Sequence, residues 1–113
     1  MKNNHIQYIE MQSTDLEATK KFYTGAFGWS FIDYGETYMA ISNAGMDGGF
    51  EKVDEVTKGG VMVIMYHEDL PVAQEAIVAN GGVISQETFS FPGGKRFHFT
   101  DPSGNELAVW SEA

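Results

Sequence analysis

The sequence repeats itself. Sliding it by 54 residues brings two halves into alignment. A repeat of that size means two copies of one supersecondary unit, each needing a neighbour to cover its apolar face. Asp15 and Leu16 fall on Asp69 and Leu70, Phe22 and Tyr23 on Ala76 and Ile77, and Gly28 on Gly82. In the first half, Tyr8 to Met11 reads as a strand. Thr14 and Glu17 then have capping-box spacing, and Leu16, Thr19, Phe22, Tyr23 and Ala26 form an apolar helical stripe that Gly28 ends. In the second half, Val61 to Tyr66 is the strand. Asp69-Leu70-Pro71 opens a helix with the stripe Leu70, Ala73, Ala76 and Ile77, and Asn80-Gly81-Gly82 closes it.

Three short β-like runs follow each helix. They are Trp29 to Tyr34, Thr37 to Ser42 and Gly49 to Val53 in the first half, and Val83 to Thr88, Lys95 to Thr100 and Glu106 to Trp110 in the second. The expected fold is therefore α+β: two βαβββ modules forming a curved mixed β-sheet with helices on the outer face and a concave inner face. The whole chain, 1–113, reads as one domain, with module boundaries at about 5–54 and 59–112.

Charge narrows the partners. Seven Lys and Arg against sixteen Asp and Glu give −9 at neutral pH, and the single arginine is Arg96. Nucleic-acid binding needs several phosphate-neutralising cations in one patch, so that role is rejected, as are anionic membrane surfaces. The absence of cysteine removes disulfides, thiolate metal sites and cysteine nucleophiles. No run approaches a membrane span, and residues 1–10 lack a signal peptide's apolar stretch, so a cytoplasmic location is expected.

Two words carry a resemblance. Lys21-Phe22-Tyr23-Thr24-Gly25-Ala26-Phe27-Gly28-Trp29 and Gly94-Lys95-Arg96-Phe97-His98-Phe99-Thr100-Asp101-Pro102-Ser103-Gly104-Asn105-Glu106-Leu107, set in the repeated βαβββ order, resemble the glyoxalase / bleomycin resistance / extradiol dioxygenase superfamily, the vicinal oxygen chelate proteins. The resemblance covers essentially the whole chain and identifies the fold better than the reaction. Metal-using members hold one divalent cation with His and Glu side chains from four strands. The first of those slots lies seven residues before the Asp of the helix-opening word and the last lies seven after the Asp of DPSG. The resemblance puts the slots at Tyr8, Met62 and Ala108, with a fourth in the strand around Phe50 to Asp54, where Glu51 or Asp54 would be the candidates. Hard divalent cations want carboxylate or imidazole, and alanine offers no donor, so no metal or other cofactor is expected.

Strand alternation then names the expected walls of the concave face: Tyr8 and Glu10, then Met62, Ile64 and Tyr66, then Ala108 and Trp110. Ile9, Met11, Val63, Met65, Leu107 and Val109 are expected to face the helices. By the resemblance, the position three before the Asp of DPSG also points inward. That position is His98, with Arg96 two residues back on the same face. Tyr8, Met62, Tyr66 and Trp110 either line a pocket or fill a collapsed core, and Glu10 and Arg96 either serve a ligand or pair with each other. His98 is the candidate acid or base because imidazole titrates near neutral pH, with Glu10 the second catalytic candidate. His5 and His67 read as surface or core-edge residues, Gly45 to Gly49 as a turn rather than a phosphate loop, and Phe91 to Lys95 as a flap.

Three functions fit this reading. The first is a metal-free homodimer that binds a small organic molecule, cationic or aromatic, as bleomycin-resistance proteins do. The second is a lyase, isomerase or dioxygenase with an atypical metal site (Glu51, Glu10 or His98 as ligands) or with His98 as acid/base. The third is a module that uses its sheet only for protein contacts.

Overall fold

The computed structural model describes residues 1–113 apart from 58, 101, 103, 104 and 113. Its elements are β1 (Ile6–Ser13), α1 (Leu16–Phe27), β2 (Phe31–Asp33), β3 (Tyr38–Ile41), β4 (Asp47–Lys52), β5 (Met62–Tyr66), α2 (Leu70–Ala79), β6 (Val83–Phe91), β7 (Gly94–Thr100) and β8 (Glu106–Ser111). The order is βαβββ twice, an α+β fold. The chain forms two compact units, Tyr8–Val61 and Met1–Gln7 with Met62–Ala113. The N-terminal residues join the second unit through Asn4 N–H donating to Tyr66 O at 2.8 Å and Tyr66 N–H to His5 O at 3.1 Å. No helix among the described residues is long and apolar enough to cross a membrane.

In the first unit the strands run β2-β3-β4-β1, with β4 parallel to β1 and the other pairs antiparallel. In the second they run β5-β8-β7-β6, with β8 parallel to β5. Each unit therefore repeats one plan: a parallel pair whose crossover carries the helix, extended by antiparallel strands.

Both helices begin on an aspartate. Asp15 accepts from Ala18 N–H at 3.1 Å and Asp69 from Val72 N–H at 3.2 Å. The first cap is thus Asp15 and not the expected Thr14, because a carboxylate reaching its third residue satisfies an orphan donor and also faces the positive end of the helix. Gly28 leaves α1 in the left-handed conformation (φ 74°).

Core formation follows alternation. In the second unit Leu70, Ala73, Phe97, Phe99 and Val109 are buried together, with Met65, Ile77, Ile84 and Leu107 against them. In the first, Met39, Ile41 and Phe50 are buried, with Met11, Leu16, Tyr23, Trp29 and Phe31 packed on them. Met11, Met65, Leu107 and Val109 thus lie on the helix side as expected. Phe22 does not join them: it is 59% exposed, and the stripe of α1 narrows to Leu16 and Tyr23, the latter stacked on Trp29 with centroids 4.8 Å apart. A helix beginning at Leu16 sets Phe22 off the contact line, and the two larger rings fill the space.

Two loop readings change. β4 begins at Asp47, so Gly48 and Gly49 belong to the ladder and not to a turn. The reason is close approach, since a Cβ on Gly48 would lie 2.6 Å from Ile9 O. The expected flap is a tight hairpin, with Phe91 opposite Gly94 and only Pro92 and Gly93 between them. Gly93 has φ 104°, as the third position of a type II turn after proline requires. Asp101, Ser103 and Gly104 of the DPSG word lie outside the described residues.

Candidate functional site

Ladder registers sort the candidate residues into rows. In the second unit Ile64 stands opposite Ala108, which stands opposite His98, and the next row is Tyr66, Trp110 and Arg96. Their neighbours Met65, Phe97, Phe99, Leu107 and Val109 fill the core under α2, so alternation turns these rows to the other face. Ile64 and Ala108 are buried there, at 3% and 0% exposure.

The Trp110 row is aromatic and braced. The indole N–H of Trp110 donates to Gln7 Oε1 at 2.9 Å, and Tyr66 meets the indole edge-on at 5.6 Å. The Arg96 guanidinium lies over the rings of Phe89 and Phe91 at 5.5 and 5.9 Å, within cation–π range of both. His98 is buried edge-on to Phe89, and its Nδ1 is 3.8 Å from Glu106 Oε2, which also accepts from Ser85 Oγ at 3.0 Å. Desolvation first, then the Glu112 and Glu68 carboxylates, raise the Tyr66 phenol above its ordinary range.

In the first unit the corresponding row is Glu10, Gly49, Ala40 and Ile32. Above it Tyr38 reaches back from β3 across Gly49, so that its hydroxyl lies 2.6 Å from that of Tyr8 and donates to Glu10 Oε2 at 3.2 Å. Only glycine leaves room, since a Cβ at position 49 would come within 2.3 Å of the Tyr38 oxygen and 2.7 Å of the Tyr8 oxygen. Burial is the main cause that raises the Tyr8 phenol. The contact with Tyr38 pulls the other way, and the Glu10 and Asp47 carboxylates push it further up. Tyr38 is raised strongly, again by burial first, then by its bonds and the charge of Glu10.

Sequence reasoning named Tyr8 and Glu10 but missed Tyr38 and Gly49, and it missed Phe89 and Phe91 beside Arg96. The signal for Tyr38 was present: with Met39 and Ile41 apolar, alternation places Tyr38 and Ala40 on the opposite face. His67 has a local task, its Nδ1 accepting from Asp69 N–H at 2.9 Å where α2 begins.

The family model for the Glyoxalase/Bleomycin resistance protein/Dioxygenase superfamily matches residues 5–109. The chain belongs to this superfamily. A glyoxylase-like domain-containing protein of Didymella fabae is 31% identical over 121 residues, covering 95% of this chain and 93% of that protein. The putative glyoxylase CFP32 of Mycobacterium bovis is 28% identical across 91% of this chain, which spans only 44% of CFP32. Among solved structures, the Mn(II)-bound glyoxalase of Novosphingobium aromaticivorans superposes with a TM-score of 0.71 at 19% identity, over 97% of this chain and 39% of that one. A superfamily member from Vibrio splendidus superposes at 0.67 with 19% identity, over 92% and 96%. At such identity these structures share the fold with the glyoxalase-like chain described here, and nothing finer.

The register fixes the slot that the sequence left open. Ala108 opposes Ile64, the repeat equates Ile64 with Glu10, and Glu10 opposes Gly49. Carried through this register, the slot that the resemblance implies falls on Gly49, just before the expected stretch from Phe50 to Asp54. The residues do not fit the metal the superfamily implies: a glycine and an alanine offer no side-chain donor, Met62 offers a thioether, and Tyr8 is a phenol whose ionisation is resisted. Among the described residues no three His, Asp or Glu side chains gather where they could hold an ion.

Proposed function

We propose that this glyoxalase-superfamily member binds a small organic molecule, without a metal, on the faces its strands turn away from the helices. The observation that carries the reading is that Tyr8 and Gly49 stand in two of the slots beside Glu10 in the first unit, while in the second Met62 and Ala108 stand in the others on a face that keeps Arg96 and His98 among aromatic rings. Flat apolar walls with a few polar groups are what small-molecule sites are made of. Ile64 and Ala108 form the floor of the second unit, Tyr66, Trp110, Phe89 and Phe91 its rings, and Arg96 and His98 its polar groups. The proposal includes pairing with a second copy of the chain, a homodimer that sedimentation detects and that a monomer at all concentrations would refute.

Elemental analysis of unchelated protein, with thermal shifts against Ni²⁺, Zn²⁺, Mn²⁺ and Fe²⁺, tests the metal-free part. The expected result is substoichiometric metal and no specific shift, whereas one ion per chain with stabilisation would overturn it. Trp110→Ala tests the binding part, with loss of ligand-induced shifts in a folded protein expected.

A second reading, acid–base catalysis at His98, draws on the carboxylate of Glu106 at 3.8 Å from Nδ1, close enough to favour the protonated imidazole by charge. His98→Gln would abolish such an activity and leave binding in place.

A further inference from the structure

Trp110 is held from the N-terminal segment. Indole has one polar hydrogen and no acceptor, so its bond to Gln7 Oε1 at 2.9 Å runs one way only. The same fact assigns the amide, since its NH₂ turned toward the ring would set two donors face to face. Gln7 is in turn placed by backbone. Asn4 N–H donates to Tyr66 O at 2.8 Å and Tyr66 N–H donates to His5 O at 3.1 Å, so the segment leading to Gln7 runs along the end of β5. Asn4 has φ 65°, a left-handed conformation that asparagine tolerates, and Asn3 before it accepts through Oδ1 from Glu68 N–H at 2.9 Å. His67 N–H donates to Trp110 O at 3.0 Å and closes the circuit.

One segment thus fixes two rings of one row. Tyr66 is held through its backbone and Trp110 through its indole N–H, and the two rings meet edge-on with centroids 5.6 Å apart. Phe91 lies 6.3 Å from the indole, tilted by 43°. Holding a ring in place before a ligand arrives removes the cost of ordering it afterwards. The bond has a second consequence. The donor of the indole is used inside the protein, so what the partly buried ring offers a ligand is π surface.

We infer that Gln7 is the positioning residue of this face: by taking the indole proton it fixes Trp110 and makes it a stacking group for flat rings rather than a hydrogen-bond donor to a ligand oxygen or nitrogen. This rests on the small-molecule reading above and names the chemistry of one part of it.

The test compares benzene with pyridine as the neutral base, two rings of one size of which only the second carries an acceptor. Each is titrated into protein with ¹³C-labelled tyrosine and tryptophan rings and followed at the Trp110 signals, which Trp110→Phe assigns. Gln7→Met keeps the length of the side chain and loses the acceptor. Benzene is expected to bind this variant about two- to tenfold more weakly, because the indole is no longer held. The affinity of pyridine relative to benzene is expected to rise about fivefold, because the freed N–H meets the ring nitrogen. A fold that is merely loosened weakens both probes alike and leaves that ratio where it was. Gln7→Glu keeps an oxygen for the indole proton and is expected to return both values to those of the unmodified protein. A ratio unmoved in Gln7→Met, or not returned in Gln7→Glu, would overturn the inference. If Gln7→Met does not fold, exchange of the Trp110 indole N–H with water in the unmodified protein decides: about fivefold or more slower than in free tryptophan is expected, and the free rate would overturn the inference. If the probes move ring signals but not those of Trp110, this inference falls and the small-molecule reading stands. If they move no ring signal, both fall.

Discussion

Tyr38 and Arg96 occupy the same place in the two modules: one stands opposite Glu51 on β4, the other opposite Trp110 on β8. Their side chains go opposite ways. Arg96 lies along its strand pair over Phe89 and Phe91, while Tyr38 crosses the bare Cα of Gly49 to reach Tyr8. The residues beside them differ. Ala108 carries a methyl group and is fully buried, whereas Gly49 carries nothing. A methyl group at position 49 would collide with the hydroxyl pair, so glycine there is a condition of that pair.

The helices differ in the same spirit. Leu70 and Ala73 of α2 are buried, and a small residue facing the sheet lets the helix come close. α1 meets its sheet through Leu16 and Tyr23, and none of its residues is fully buried. The second module should therefore be the more sensitive to core truncation. Phe97→Ala, at a fully buried ring, is expected to cost about 3–5 kcal/mol, and Met39→Ala, the counterpart in the first module, about 2–5 and on the lower side of that range. Denaturant melts of the two variants measure both, and a larger loss at Met39 would reverse the comparison.

Glycine substitutions sharpen it further. Gly94→Ala sets a Cβ 2.3 Å from Ser111 O, a backbone atom that cannot move alone, and about 1–3 kcal/mol of stability should be lost. Gly49→Ala meets an equally short contact with the mobile end of a tyrosine, so the expected loss is smaller, about 1 kcal/mol for a displaced hydrogen bond. Equal losses by thermal melting would mean the Tyr38 ring cannot shift.

The caps should behave alike. Asp15→Ala and Asp69→Ala each remove one bond to the third helical N–H and are expected to cost about 1 kcal/mol apiece. The alkaline response should fall most heavily on the first module, which holds two of the three raised phenols. Tyr8 and Tyr38 have phenols raised in the folded state, so the unfolded chain releases these protons first as pH rises past the ordinary value of 10.0. The stability tied to these protons is complete below that value and declines as pH climbs through the folded-state range. Tyr38→Phe should flatten the decline, which melting temperatures from pH 8 to 11 would show, and an unchanged slope would detach the effect from the pair.

Much of this was legible in the residues. The repeat, the glycine at the end of α1 and the alternation of Met65, Leu107 and Val109 all follow from period and composition, because helix and strand geometry impose them wherever the chain goes. The assignment of family slots to Tyr8, Met62 and Ala108 came from the family resemblance. The slot at Gly49 did not, since unequal loops hide which residue of β4 opposes Glu10, and only the ladder gives it. Phe22 misled because an apolar residue near the helical stripe can still lie off the line that meets the sheet, and it packs instead on Tyr23 and Phe27 of its own helix.

By itself the sequence determined the two-module α+β plan and the absence of cysteine chemistry, since these depend on residue identity and local geometry. Tertiary structure alone decided that Tyr38 meets Tyr8 from 30 positions away and that the Arg96 guanidinium lies within 6 Å of two phenylalanine rings. A side chain's reach depends on what its neighbours across the ladder leave open, and that register is set by the folded sheet.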